Sequence, residues 1–153
     1  MKKICDLLGE RADELVKSSI RIGDVHMLPL GKEEGITPKN GALKRNKFFI
    51  VLGFDATGNI IGGIVINSKI NTNLPSSVTD YLMPVTVQQM SFLKYNSFVN
   101  CSHLKTVAKE KFNHSTYVDH IDDEELIDSI RKTVVESPYS NRQLLKEFRI
   151  IDN

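Results

Sequence analysis

The chain has 153 residues and a formal net charge of +1, with 41% hydrophobic and 25% charged residues. These values are typical of one globular domain, and they exclude a chain that is disordered throughout. They also exclude a protein that binds nucleic acid through a strongly basic overall charge, although a local basic groove is compatible with them. The two cysteines, Cys5 and Cys101, are too few for the disulfide framework of a small secreted domain.

The first residues do not have the pattern of a secretory signal. Met1-Lys2-Lys3 would suit its charged start, but charged residues between Asp6 and Glu14 interrupt any apolar segment. No run approaches the roughly 20 apolar residues that a membrane-spanning helix needs. We therefore expect a cytoplasmic protein that does not associate with membranes.

An amphipathic helix is predicted in residues 1–22, ahead of the main body of a single domain that spans residues 1–153. Apolar residues recur there at steps of three and four, and charged residues occupy the other side. The apolar stripe consists of Ile4, Leu7, Leu8, Ala12, Leu15 and Val16. We expect the stripe to pack on the rest of the domain, although it could also bind a partner helix.

Short β-favouring segments follow in residues 23–121. The first begins near Val25 and ends irregularly at Pro29. Two further apolar runs are separated by turn residues 55–59, which include Gly58-Asn59 and predict a central hairpin. Gly62-Gly63 predicts a bulge or a sharp bend within it. The predicted strands after the first cover residues 47–52, 60–66, 81–87, 97–101, 104–107 and 115–118.

Two long polar loops, residues 31–44 and 67–80, interrupt these strands. Loops longer than about 12 residues in compact domains are usually functional or disordered. Helices are predicted in residues 122–153, where Asp122 or Asp123 caps the first and Pro138 ends it. Its buried stripe is formed by Leu126, Ile127, Ile130 and Val134, and a short closing helix contains Leu144, Leu145 and Phe148. The predicted fold is therefore α+β, mainly β, with a small antiparallel barrel and flanking helices.

Several segments, in this order, resemble the MazF/PemK (Kid) family of bacterial toxins. Gly23-Asp24-Val25 resembles the opening strand of the family, and residues 44–52 resemble its second strand, which normally begins with Arg-Pro. Residues 64–68 resemble the end of the third strand, and Leu74-Pro75-Ser76-Ser77-Val78 matches a Leu-Pro-x-x-Val segment. Residues 96–107 resemble a strand that leads into a Gln-Ile-Arg-Thr-type segment, and residues 121–126 resemble the start of the C-terminal helix.

The resemblance covers about residues 23–135 and implies an SH3-like barrel that forms a homodimer. It also implies a metal-independent endoribonuclease that cleaves single-stranded RNA, needs no cofactor and is restrained by a cognate antitoxin that fills its groove. The 2′-hydroxyl of the ribose would attack the adjacent phosphorus, so the site must move protons and neutralise phosphate oxygens.

The catalytic candidates are Arg45, Lys47 and Ser68. In the family, an Arg at the head of the second strand and a Thr or Ser after the third carry much of the chemistry. Here Lys47 stands where that Arg is expected and Asn46-Lys47 replaces Arg-Pro, while Arg45 lies two residues earlier and therefore on the same face of a strand. Ser68 follows the third strand, where the hydroxyl is expected. The alternatives are a solvated Arg45 at the base of the hairpin and a Ser68 that only caps a turn.

The candidates for substrate binding are His26, Lys44, Asn67 and Lys69. His26 lies where the first strand faces the long loop, so it could enter the groove, and its pKa would suit proton transfer. Structural or surface roles are the alternative for His26 and for the other histidines, His103, His114 and His120. The spacing of His114, Asp119 and His120 matches no metal-binding pattern, so no metal site is predicted.

Two other functions stay open at this level. The chain could be a non-catalytic barrel of the same family that binds RNA or a protein partner, because its Arg-Pro start is lost. It could also be an interaction protein in which the N-terminal helix occupies the groove or docks on a partner.

Overall fold

A computed structural model describes residues 4–37 and 41–152 of the chain. These residues form a mixed α+β fold with a six-stranded antiparallel sheet, so the predicted combination of antiparallel strands and helices is confirmed. The helices are α1 (Ile4–Ser18), α2 (Ser76–Thr79), α3 (Glu124–Glu136) and α4 (Arg142–Glu147). The strands are β1 (Asp24–Gly31), β2 (Lys44–Phe54), β3 (Ile60–Asn67), β4 (Leu82–Val85), β5 (Ser97–Ala108) and β6 (Tyr117–His120).

The strands lie in the order β4-β5-β3-β2-β1-β6. The predicted central hairpin is confirmed, because residues 49–54 of β2 pair with residues 61–65 of β3. Among the described residues, β4 and β6 form the two ends of the sheet and do not pair with each other, so these strands do not close into a barrel. The SH3-like architecture therefore stays a prediction.

Alternation along β2 divides the core into two clusters on opposite faces of the sheet. Ile50 and Leu52 belong to the larger cluster, which α3 covers with Ile130 and Val134. Phe49 and Val51 of β2 belong to a second cluster on the other face, together with Leu28 and Leu30 of β1 and Val65 of β3. Fully burying one such side chain contributes about 1.5–3 kcal/mol. Arg45 and Lys47 continue this second face toward the start of β2.

The predicted irregularity at Gly62-Gly63 is confirmed by shifts in register. The β2–β3 register shifts between Val51 and Gly53, and the β3–β5 register shifts between Gly63 and Val65. Both glycines are also required by close packing. A Cβ on Gly62 would lie 2.8 Å from the Phe148 ring, and one on Gly63 would lie 2.1 Å from a backbone oxygen.

Several predicted bounds differ from the structure. Strand β1 does not end at Pro29 but continues to Gly31. Pro29 is tolerated there because β6 pairs only with residues 24–26 of β1, so the N–H that proline lacks is not needed for pairing with β6. The two segments predicted around residues 97–107 form the single strand β5. The polar loop after β3 contains the short helix α2, and residues 38–40 of the other predicted loop lie outside the described residues.

The two terminal helical regions compare differently with their predictions. In α3, Asp123 is the N-cap and accepts a hydrogen bond of 3.1 Å from the backbone N–H of Leu126, as predicted for one of two candidates. In α1, the side chain of Leu15 is 61% exposed, whereas Ala12 and Val16 are half-buried, so the predicted stripe is covered only in part. The side chains of Ile4, Leu7 and Leu8 lie outside the described set. None of the described helices is long and apolar enough to cross a bilayer.

Candidate functional site

A groove of about 510 Å³ lies where the second face of the sheet passes from apolar to polar residues. It combines four basic side chains with amide, hydroxyl and aliphatic groups. The polar lining consists of Arg45, Lys47, Lys69, Lys105, Asn67, Asn71, Asn100, Ser68 and Thr37. The apolar part of the lining includes Ile36, Val65, Ile70, Leu74 and Leu82.

The head of β2 and the end of β3 supply one wall of this groove. The Nζ of Lys47 donates a hydrogen bond of 2.9 Å to Oδ1 of Asn67. Arg45 lies on the same face of β2 as Lys47, opposite Leu30 of β1, and its side chain is half-exposed. The ion pairs within residues 4–37 and 41–152 do not include the Arg45 guanidinium. Ser68 and Lys69 come directly after Asn67, the last residue of β3, and both are exposed.

Strand β5 supplies two further groove residues, Asn100 and Lys105. Asn100 pairs with Val65, and Lys105 pairs with Gly63, so β3 advances two residues while β5 advances five. Val65 and Gly63 lie on the same face of β3, and paired residues share a face. The irregularity in β5 therefore turns both side chains into the groove, although strict alternation would place them on opposite faces.

Neither Asn100 nor Lys105 is among the site residues predicted from the sequence. The available signal was the stretch 96–107, which resembles the strand of the toxin family and contains both residues. Lys105 could have been identified from this resemblance, because it is the basic residue in the Gln-Ile-Arg-Thr-like part of the stretch. Nothing comparable pointed to Asn100, because its position depends on the shift in register.

The side chain of Lys105 is half-buried in the groove, next to Gly35 in the loop that follows β1. Its Nζ lies 3.4 Å from the backbone oxygen of Gly35, to which it donates a hydrogen bond. Gly35 has a φ of +78°, a backbone conformation that favours glycine. Burial lowers the pKa of Lys105 from its ordinary value, because the charged ammonium loses contact with water. A lysine of this kind loses its proton more readily than an exposed one.

All the charged side chains in the described lining of the groove are basic. Arg45, Lys47, Lys69 and Lys105 contribute to it, and no carboxylate is present among the lining residues that the structure describes. Several cations around a concave, partly apolar surface attract polyanions more strongly than the net charge of the chain suggests. The planar guanidinium of Arg45 can bind two phosphate oxygens at once.

Two predicted site residues lie elsewhere. Lys44 is exposed and alternates to the other face of β2, next to Gly31 and near Glu34. His26 is fully buried and does not reach the groove. Its Nδ1 lies 2.8 Å from Oγ1 of Thr116, and burial lowers its pKa. Its ring contacts Phe112 and Tyr117 edge-on, at centroid distances of 4.9 and 5.6 Å.

The other three histidines also lie outside the lining of the groove. His103 stacks on Tyr139 at 4.4 Å, and burial lowers its pKa. His114 is hydrogen-bonded to Asp13 of α1, and His120 Nδ1 lies 2.7 Å from Oδ1 of Asp24. In the part of the chain that the structure describes, no group of three or more His, Cys, Asp or Glu residues is placed to hold a metal ion.

No protein-family model and no curated protein matches this chain. A function can therefore be inferred from the geometry of the groove and from the segments that resemble the toxin family. The structure brings five predicted site residues together in that groove: Arg45, Lys47, Asn67, Ser68 and Lys69.

Proposed function

We propose that the groove binds the phosphate backbone of single-stranded RNA and that the protein cleaves it without a metal, as an endoribonuclease of the MazF/PemK type on an SH3-like barrel. The observation that supports this proposal is the clustering of Arg45, Lys47, Lys69 and Lys105 in one groove without a carboxylate among its described lining. Phosphate contacts from Lys and Arg supply most of the affinity of such sites. An extended single strand exposes its phosphates along a groove of this kind.

The proposed reaction is transfer of the phosphodiester within the substrate. The 2′-oxygen forms a bond to phosphorus as its proton leaves, and the bond from phosphorus to the 5′-oxygen breaks as that oxygen gains a proton. The products are a 2′,3′-cyclic phosphate and a 5′-hydroxyl, so atoms and protons balance. Arg45 and Lys47 neutralise the phosphorane oxygens, and Ser68 donates a hydrogen bond to one of them.

Lys105 is the proton carrier in this proposal. It lines the same groove, and its lowered pKa increases the fraction of neutral amine that can accept the 2′-hydroxyl proton. The resulting ammonium can return a proton to the leaving 5′-oxygen. This assignment replaces His26, which is buried away from the groove.

The second candidate function is RNA binding without cleavage. It is favoured by the absence of both histidine and carboxylate from the described lining of the groove, since these are the commonest proton carriers in enzymes. The loss of the Arg-Pro start of β2 points in the same direction. Both functions predict binding, and only the first predicts products.

The test incubates the purified protein with a long single-stranded RNA in EDTA. We expect discrete fragments with cyclic phosphate ends, and Arg45→Ala or Lys47→Ala should abolish them. Lys44→Ala is the matched control, because it removes the same charge from the same strand on the face away from the groove. Binding with intact RNA would establish the second function. Absence of both binding and cleavage would overturn both candidates.

The same proposal includes the expected partners. A cognate antitoxin with an acidic, partly apolar segment would compete with RNA for the groove, where Ile70 and Leu74 are each 39% exposed beside the cations. We further propose a homodimer and a cytoplasmic location, where RNA is present. Light scattering on the purified protein tests the dimer, because the monomer has a mass of 17.3 kDa.

A further inference from the structure

The orientation of the Asn100 side chain is determined by its neighbours. The backbone N–H of Ser102, which can only donate, lies 3.1 Å from Oδ1 of Asn100. The hydroxyl of Ser102 donates to the same oxygen at 2.6 Å. Two donors on one oxygen identify it as the carbonyl end of the carboxamide and satisfy both of its lone pairs. The NH2 group therefore points away from Ser102.

Ser102 is itself held by several contacts. Its single hydroxyl proton is used toward Asn100, so at His103 Nδ1, 2.9 Å away, the same hydroxyl must accept. His103 therefore carries a proton on Nδ1. The backbone oxygen of Ser102 accepts a hydrogen bond of 2.6 Å from the buried Ser137. His103 in turn stacks on Tyr139, whose hydroxyl lies 2.7 Å from Oγ of Ser77.

The NH2 group of Asn100 has no acceptor among the residues that the structure describes, although the residue lines the groove. Its cross-strand neighbours are Val65 on β3 and Leu82 on β4, both buried and apolar. The groove thus contains an oriented neutral donor between aliphatic side chains. A hydrogen bond in such surroundings is stronger than one in water, and a donor covered without a partner is costly.

We propose that Nδ2 of Asn100 donates a hydrogen bond to an oxygen of the RNA backbone, and that Ser102 is a positioning residue that keeps this donor aimed into the groove. This inference rests on the proposed RNA-binding function and adds a contact that no charge in the groove supplies. A backbone contact predicts the same contribution for every base sequence, because phosphate and sugar oxygens carry no sequence information.

The test measures dissociation constants of oligo-U, oligo-A and oligo-C at several salt concentrations. Asn100→Asp is the most informative variant, because a carboxylate keeps the acceptor for Ser102 and removes the donor. We expect Asn100→Ala to weaken binding roughly tenfold for all three oligonucleotides. The slope of log K against log salt should stay unchanged in Asn100→Ala, whereas Arg45→Ala should reduce it by about 0.7. Asn100→Asp should weaken binding further, since it adds a negative charge.

A double-mutant cycle tests the positioning role. Ser102→Ala should weaken binding about threefold in the wild-type background and leave the affinity of Asn100→Ala unchanged, because Ser102 acts through Asn100. Equal effects of Ser102→Ala in both backgrounds would contradict positioning. Wild-type affinity in Asn100→Ala, or a loss confined to one base, would overturn the backbone contact while the RNA-binding proposal stands. Absence of RNA binding by the wild type would overturn both.

Discussion

Lys47 and Asn67 join the head of β2 to the end of β3 through a hydrogen bond of 2.9 Å from Nζ to Oδ1. The acceptor in this contact is a neutral amide, so the hydrogen bond places no negative charge beside the ammonium. The contact therefore orients the Lys47 side chain at the groove through a neutral partner. A carboxylate in place of the amide would orient Lys47 equally well and cancel its charge.

Asn67→Asp should therefore weaken binding of single-stranded RNA about tenfold with little effect on stability. The added carboxylate pairs with Lys47 and repels phosphate. Titration of labelled RNA at fixed salt provides the measurement, and Asn73→Asp is the control, since it makes the same change at an exposed position outside the groove. Equal affinities of the two variants would exclude a role for the pair.

Lys105→Arg should separate binding from cleavage. Arginine retains the positive charge but does not lose its proton in the working pH range, so it cannot carry a proton. We expect RNA affinity within about threefold of wild type and a cleavage rate lower by about 100-fold or more. In the wild type, cleavage should rise with pH as Lys105 loses its proton, at a pH below the ordinary range of lysine because burial lowers its pKa. A Lys105→Arg variant with wild-type cleavage would remove Lys105 from the mechanism.

His26 should make the folded state sensitive to acid. Burial lowers its pKa in the folded protein, and its Nε2 has no hydrogen-bond partner in the described structure. The unfolded chain therefore binds more protons than the folded one below about pH 6.5, the ordinary pKa of histidine, and stability falls as the pH decreases through that range. Urea unfolding at pH 7.5, 6.5 and 5.5 measures this dependence.

His26→Leu should reduce stability at pH 7.5 by about 1 kcal/mol, because the bond to Thr116 is lost. The variant should also lose less stability than the wild type when the pH is lowered from 6.5 to 5.5. A smaller decrease should persist, since the pKa of His103 is lowered too. The same acid dependence in wild type and variant would show that His26 does not control it.

Gly62→Ala should destabilise the fold by roughly 1–3 kcal/mol, because the new methyl group would meet the buried Phe148 ring at 2.8 Å. Gly9→Ala is the matched control. At that position in α1 the nearest described atom to a new Cβ is 4.0 Å away, and alanine is the better helix former. Denaturant midpoints should therefore move in opposite directions. Equal midpoints of the two variants would mean that the segment carrying Phe148 moves aside without loss of stability.

The elements that depend on local pattern could be predicted from the sequence. The apolar runs of β2 and β3, the turn between them and the capped, striped helix α3 are all encoded by neighbouring residues, and the structure confirms them. The placement of Arg45 and Lys47 on one face followed from the two-residue period of a strand. Propensities act over a few residues, so such features can be read without knowing the partners.

The composition of the groove was decided by tertiary structure. Asn100 and Lys105 share a face only because β5 advances five residues where β3 advances two. His26 is buried because Thr116, Phe112 and Tyr117, about 90 residues away in sequence, surround its ring. Strand pairing, register and the bulge are long-range choices that depend on which faces bury the most apolar surface. The sequence by itself determined the strands and the side chains they carry, and packing between distant segments determined which of them meet.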